Sequence, residues 1–496
     1  MADYPYFLGG AYTSQSPLAD CEQTINWYPE RVEASGARNI LALYPTPGFQ
    51  SYLTTSDLSG RASFTIASRT HFVMGAGVYE VFSMASATRR GTVTQDSNPA
   101  QITYNGRTGN QLGICSGGNV YYLDLASNNL SQISGVTATQ LSMIDGYFVS
   151  FDPVTSRIRV SPVNDTTGTW DPTAFSGRTA QPDPWKAMVI IPPNIYLLGE
   201  LTGDVWYDSG ATFPLAPRTG ITFPYGIIAP FSACAVGTSV MWLGRDANGA
   251  GVVIQTQGYQ ALPVSSKALE KVLSDYQRTS TITDAQAFSY QQEGHLFYVL
   301  QFPTANATWV YDVTLALAGA PSALCWHKRG YWNPTNNSYD AWNPRVHTYA
   351  FNRHLTADVS SGTIAVMDVT YGSEVDGTAI RRVRVPPPLY VGNRSNRLRV
   401  SRFEPIFEPG LGLSSGQGSS PKVMLRISYN TKTWSNQRSA TAGAQGQYST
   451  RTYWLRNGSS TLVWVPEIVV SDPIPWRLIG AEYDGTGVRG QQQKAS

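Results

Sequence analysis

The chain has 496 residues with a formal net charge of +2, and only 14% of them are charged against 12% aromatic, with 45 Gly and 31 Pro. Such a near-neutral balance excludes a global basic field for holding nucleic acid, and the wealth of Gly, Pro and aromatics favours strands and turns over helices. The length exceeds a usual single core, so two or three domains, or one large repeat domain with an appendage, are expected.

In chain order, the start Met1-Ala2-Asp3-Tyr4-Pro5 has no basic n-region and no apolar h-region, so no secretory signal is expected. No membrane span, and hence no stable membrane insertion, is expected either. The longest apolar run, near Ala187 to Ile191, stops at Pro192-Pro193, well short of the roughly 20 residues a bilayer needs. Gly9-Gly10, Pro17, Pro29, Pro45 and Pro47-Gly48 break the first fifty residues into an extended arm. Within it, Cys21 to Glu30 alternates polar and apolar residues and suits one strand added to a sheet elsewhere.

From about Phe64 to Tyr371 one theme recurs: hydrophobic strand, tight turn, hydrophobic strand. Thr70 to Phe82, Leu112 to Leu125, Met143 to Val160 and Ile190 to Tyr207 show it, as do Cys234 to Ile254, Phe288 to Tyr311 and Tyr349 to Val369. A two-strand meander cannot bury both faces, so successive units must stack. Radial stacking gives an all-β fold, a β-propeller of about six or seven blades, with a sandwich array or solenoid as the competing arrangement. One interruption, Pro263 to Leu273, reads as a short amphipathic helix. Ser266 is its cap, and Ala268, Leu269, Val272 and Leu273 form an apolar face laid on the propeller or on a neighbouring subunit.

After Tyr371 the texture changes to an arginine strand, Pro386-Pro387-Pro388, and strands near Leu398 to Phe407, Val423 to Ser428, Thr452 to Arg456 and Leu462 to Val470, with a Gly/Ser-rich loop at Gly410 to Ser420. The expected division is an arm over 1–55 that joins the C-terminal domain, a propeller over 56–375, an additional C-terminal β platform over 376–484 beginning near Asp376, and a flexible polar tail over 485–496.

Chemistry is sparse along the chain. Cys21, Cys115, Cys234 and Cys325 lie about a hundred residues apart without a C-x-x-C pair and suit reduced, buried thiols. His71, His295, His327, His347 and His354 are scattered without metal-ligand spacing, and no nucleophile elbow, P-loop or dinucleotide fingerprint is present. No catalytic, cofactor or metal residue is therefore assigned. Asp152, Asp204, Asp246, Asp312 and Asp368 fall near strand ends, where two carboxylates could converge on a sugar or could simply cap turns. Ser428 to Trp434 superficially resembles the aspartate-box hairpin of sialidase-like propellers, but is one residue short and lacks the central glycine. Two basic runs, Arg381-Arg382-x-Arg384 and Arg394 to Arg402, would place alternate arginines on one face of a strand, most simply a solvated or interface face.

With these residues in view, the chain resembles the tail nozzle proteins of short-tailed bacteriophages, also described as packaged-DNA stabilisation or head-completion proteins. The resemblance rests on Asp20-Cys21-Glu22 through Asn26-Trp27-Tyr28-Pro29-Glu30 and Leu43 to Gly48 at one end. At the other it rests on Ile427 to Trp434, Gly443 to Tyr448, Arg451 to Arg456 and Val470-Ser471-Asp472-Pro473. Other phage structural proteins carry a fuller S-D-D-G-G-R-T-W form of the C-terminal pattern, from which this chain departs at Lys432.

The resemblance implies a non-enzymatic virion protein of the phage tail, assembled in the host cytoplasm as a homohexameric tube below the portal. Its implied partners are an adaptor (head-to-tail connector) protein, a tail fibre or tail needle/plug protein, and genomic double-stranded DNA, which passes through the lumen without sequence-specific binding and is retained until ejection. In this picture the arm and the domain from Asp376 form a platform and the propeller forms the outer wall; the segment Phe213 to Pro230, long, apolar and turn-rich, is either a gate or a buried inter-blade connection. The alternative is a tail-spike-like propeller that binds or hydrolyses host surface glycan.

Overall fold

The computed structural model describes residues 1–32, 41–167, 169–178, 181–246, 248–390 and 396–489. Seven four-stranded antiparallel units follow one another around an axis. Six are sequential, over 60–92, 101–137, 140–177, 185–223, 234–263 and 286–333. In the seventh, three strands from 344–368 are completed by the outermost strand Gly48–Thr54 from the N-terminal segment. The first strand of each blade faces the axis and packs beside that of the next, and Pro344–Ala350 of blade seven closes the ring against Gly60–Ile66 of blade one. The fold is thus a seven-bladed β-propeller.

Why the recurring theme reads as apolar runs follows from this stacking. Middle strands are covered on both faces by neighbouring blades, so Ser239–Arg245 and His295–Phe302 are buried almost end to end. Outer strands meet water, and Ser86–Thr92 is largely exposed. A separate apolar cluster fills each gap between blades. Phe72, Leu355 and Ile364 lie between blades seven and one, Trp185, Ile195 and Trp206 between three and four, and Val240, Trp242 and Ile254 between four and five. Within blades, turns such as Asp145-Gly146 place both central residues at positive φ (47° and 86°), the geometry that matches the twist of a two-residue hairpin.

The helix between blades five and six runs Lys267–Thr279, further than the residues up to Leu273 suggested. Ser266 Oγ accepts from Leu269 N at 3.2 Å, and Ser265 Oγ donates to Glu270. Ala268, Leu269 and Leu273 are buried, and Leu269 and Leu273 join the cluster between blades five and six. The apolar face therefore lies on the chain's own propeller.

The remaining strands build a two-sheet sandwich from both ends of the chain. One sheet runs Trp27–Arg31, Leu41–Pro45, Leu478–Arg489, Asn396–Phe407 and Trp454–Leu455, with Ala2–Asp3 on the edge of Leu478–Arg489. The other runs Cys21–Ile25, Arg382–Val385, Val463–Val470, Lys422–Ser428 and Arg438–Thr441. Tyr4, Phe7, Trp27, Phe403, Trp464 and Trp476 belong to the core between them.

Three expectations are corrected here. Residues 48–54 belong to the propeller and not to the arm, because a ring of blades closes by borrowing a strand from the other end of the chain. Cys21 to Glu30 supplies two strands and not one, since Asn26 at φ 58° turns the chain from one sheet of the sandwich to the other. The last strand continues to Arg489, five residues past the expected start of the tail, and residues 490–496 lie outside the described residues.

Candidate functional surface

The joint between propeller and sandwich is the most densely built polar region. Strand Cys21–Ile25 pairs antiparallel with Arg382–Val385 and meets blade six in parallel at Ile25 and Lys328, so a blade and a sandwich sheet are hydrogen-bonded into one. Asn26 is the hub. Its amide donates to Gly330 O and Arg381 O at 2.9 Å each, its Oδ1 accepts from Gly330 N at 3.0 Å, and its carbonyl accepts from Thr46 N. Blade six, the arm and the first sandwich strand are thereby tied to one buried side chain.

The first basic run lies inside this joint. Arg382 and Arg384 are fully buried. Arg384 ion-pairs with Glu22 and donates to Phe7 O (2.7 Å), Gly10 O (3.0 Å) and Thr24 Oγ1 (2.8 Å), clamping the arm. Gly9 and Gly10, which suggest a loose loop, are required there, because a Cβ at Gly10 would collide with the carbonyls of Ala323 and Trp326. Burial lowers the Arg382 pKa to about 10, and burial with the neighbouring Asp376 raises that of Glu374 to about 8. Of the two readings of this run, a solvated or an interface face, the solvated one is overturned, since Arg382–Val385 is a central strand covered on both sides at the joint. In the second run Arg394 lies outside the described residues, whereas Arg397 and Arg399 are exposed on Asn396–Phe407.

The propeller axis holds a cavity of about 420 Å³ lined by the first strand of every blade. Its polar lining includes Arg61, Gln101, Ser142, Gln286, Arg345 and His347, with no carboxylate among the lining residues. Arg61 is anchored by Asp96 and by Ser116 Oγ at 2.7 Å. Burial, reinforced by the nearby Arg61 charge, holds the Arg345 pKa below its usual value.

The five aspartates near strand ends each serve their own neighbourhood. Asp152 accepts from Val154 N and Thr155, Asp246 from Asn248 N and Ala250 N, and Asp368 from Thr370 N and its hydroxyl. Asp204 pairs with Arg178 and accepts from Trp185 Nε1, while Asp312 caps the helix Val313–Leu317 and bonds His295 Nδ1 at 2.6 Å. Burial opposes the charged form of His295, but Asp312 and Glu30 outweigh it and raise its pKa. His71 and His347 are held neutral by burial, with pKa values lowered to about 4 and about 3. All four cysteines are free; burial pushes Cys21, Cys115 and Cys325 up to about 12. Among the described residues no group of three or more His, Cys, Asp or Glu is placed to hold a metal, and no helix is long and apolar enough to cross a membrane.

The segment Phe213 to Pro230 is not a free gate. Leu215–Phe223 is the outer strand of blade four, and the following link is fixed to blade five by Ile228 N donating to Leu243 O at 2.9 Å, with Ile227 and Ala229 buried. Its apolar residues, Leu215, Phe223, Ile227 and Ala229 among them, fill inter-blade space, as the reading of this segment as a buried inter-blade connection expects. Ser428 to Trp434 forms the turn of the hairpin between Lys422–Ser428 and Arg438–Thr441. Asn430 Oδ1 accepts from Lys432 N and Thr433 N there, and Trp434 packs back on the sandwich.

Comparison with known proteins separates fold from family. Solved structures similar to this chain include PorZ of the type-IX secretion system of Porphyromonas gingivalis. It is 12% identical over 79% of this chain and 46% of that one, with a TM-score of 0.35. The extracellular domain of a hybrid two-component system from Bacteroides thetaiotaomicron is another, 10% identical over 83% and 56%, with a TM-score of 0.40. The chain thus spans about half the length of each. No curated protein matches significantly. Family models, in contrast, match residues 23–372 as the β-propeller of bacteriophage P22 Gp10 and residues 388–481 as its β-sandwich. With both domains matched in order over most of its length, the chain belongs to the P22 Gp10 family of tail nozzle and head-completion stabilisation proteins of short-tailed phages and is a structural protein of the phage tail.

Proposed function

We propose that six copies of this chain form the tail nozzle below the portal and adaptor, conducting DNA during ejection and retaining the packaged genome beforehand. The observation that carries this reading is the fusion of the sandwich with blade six through Cys21–Ile25 and Asn26. It makes the two-domain subunit one stiff stave, the kind of part from which a load-bearing ring is built by head-to-tail contacts. The platform of arm and sandwich docks on the adaptor (head-to-tail connector) and on neighbouring copies. The propeller forms the outer wall, and a fibre or a needle/plug protein joins at the far end.

The axial cavity supports placing the DNA outside each propeller. The first strands of the seven blades pack side by side around it and leave a cavity of only about 420 Å³ lined by side chains such as Arg61, Phe64, Met188 and Arg345, which argues against a duplex threading a propeller. The conduit is therefore the space enclosed by the ring of subunits. A near-neutral chain suits such a wall, because a strongly basic lumen would hold phosphates by counterion release. Assembly takes place in the host cytoplasm, without stable membrane insertion.

Genome retention tests the reading. Particles assembled without this protein should leave their packaged DNA open to added nuclease, and supplying the purified chain should restore protection. Nuclease-resistant genomes in particles that lack it would count against the proposal.

A further inference from the structure

In the second basic run Arg397 and Arg399 are exposed, whereas Arg402 pairs with Glu404, and Arg399 borders a groove. Arg397, Arg399 and Arg456 pair with no acid among the described residues. Arg397 and Arg399 are two apart on Asn396–Phe407 and project from the same face, about 6.8 Å apart along the strand. Arg399 lies between two hydroxyl residues, Ser459 on one neighbouring strand and Thr486 on the other, both exposed. Arg399 and Ser459, with Val400, Ser401, Leu455, Arg456 and Gly458, line a depression of about 510 Å³; Arg397 and Thr486 neighbour Arg399 in the sheet and lie outside that lining. Asp484 stands at its edge, where its carboxylate accepts from Ser401 Oγ at 2.7 Å.

Arg456 is presented by a strained backbone. Its φ of 58° lies in the left-handed region, which costs a non-glycine residue about 1–2 kcal/mol. The next residue holds the strain in place. Asn457 is buried; its carbonyl accepts from Trp464 Nε1 (3.0 Å) and Tyr429 OH (3.1 Å), its Oδ1 from Arg438 (2.6 Å), and its amide donates to Trp454 O (2.9 Å). Arg456 N donates to Ser401 O at 2.8 Å, which sets the bulge against Arg399's strand. Four side chains thus over-determine a conformation whose visible product is a third arginine beside Arg397 and Arg399.

We propose that this groove binds the phosphodiester backbone of duplex DNA, and that the sandwich face bearing it lines the conduit; the proposal rests on the nozzle reading. Arginine flanked by hydroxyls is a phosphate-binding set, and the expected contacts are to backbone phosphates, which carry no sequence information directly. Three contacts per subunit are few enough for DNA to slide, and they repeat at every copy around a ring.

Fluorescence anisotropy of the full-length chain with two short labelled duplexes of unrelated sequence, over a salt series, tests it. Both duplexes should bind alike. Arg397→Ala/Arg399→Ala/Arg456→Gly should weaken binding, the glycine keeping the left-handed backbone, while Arg107→Ala on a propeller loop should not. Between roughly 50 and 200 mM salt, wild-type affinity should fall about 40-fold further than the triple variant's, from a slope of about 0.9 per lost phosphate contact. No duplex binding by the wild type, an unchanged affinity and slope in the triple variant, or loss of self-association in place of DNA binding would each overturn the groove assignment. Failure of the nozzle reading shows separately, as particles that protect their genome without the protein.

Discussion

At the scale of single residues, buried charge holds this molecule together. Arg384 collects an ion pair and several carbonyls from a segment more than 350 residues away in sequence. Arg384→Met leaves Glu22 and those carbonyls without their partner and is expected to cost about 3–5 kcal/mol in urea unfolding, with the first twenty residues becoming open to protease. A loss below about 1 kcal/mol would remove Arg384 from this role.

His71 is one source of pH dependence. It is fully buried in blade one near Glu80, Arg69 and Arg90, neither ring nitrogen has a hydrogen-bond partner, and burial lowers its pKa to about 4. An unfolded histidine takes its proton near pH 6.5, so the unfolded state binds more protons between there and about pH 4, and stability falls as pH falls through that window. His71→Met should flatten the fall by about 1.4 kcal/mol per pH unit and change stability little at pH 8. Parallel pH profiles for the two proteins would contradict this.

Residue roles were the least legible level in the sequence. Arg382 and Arg399 sit in similar alternating runs, yet one is sealed inside a joint and the other faces out, because burial depends on a sheet completed by residues 21–25. Asn26 carried no signal beyond its motif, since its partners at Gly330 and Arg381 are remote in sequence.

At the scale of elements much more could be read. The strand-turn-strand theme is a local pattern imposed by burial on both faces, and Asp145-Gly146 or Ser266 announce a turn and a helix cap through their own backbone chemistry. What escaped was pairing at a distance: the strand that completes blade seven precedes its partners by about 300 residues. That closure is open to test. Phe49 in this strand is buried between blades six and seven, and Phe49→Ala should cost about 3–5 kcal/mol, whereas Val154→Ala, at a site 90% exposed, should change stability by less than about 0.5. Equal small effects would mean that Gly48–Thr54 does not bear on ring closure.

At the scale of the whole molecule, the shared sheet and the propeller axis both bear on the nozzle proposal. A sheet shared between blade six and the sandwich hydrogen-bonds the two domains together, and in the proposed nozzle DNA runs between subunits and not along a propeller axis. In that arrangement the working surface of the protein lies at its contacts with other copies. Electron microscopy of the purified chain mixed with its portal and adaptor tests this most directly. The expected image is a six-fold ring stacked below the adaptor with an open axial lumen between subunits; free monomers beside a bare adaptor, or a ring whose axis is closed by protein from each propeller, would contradict it.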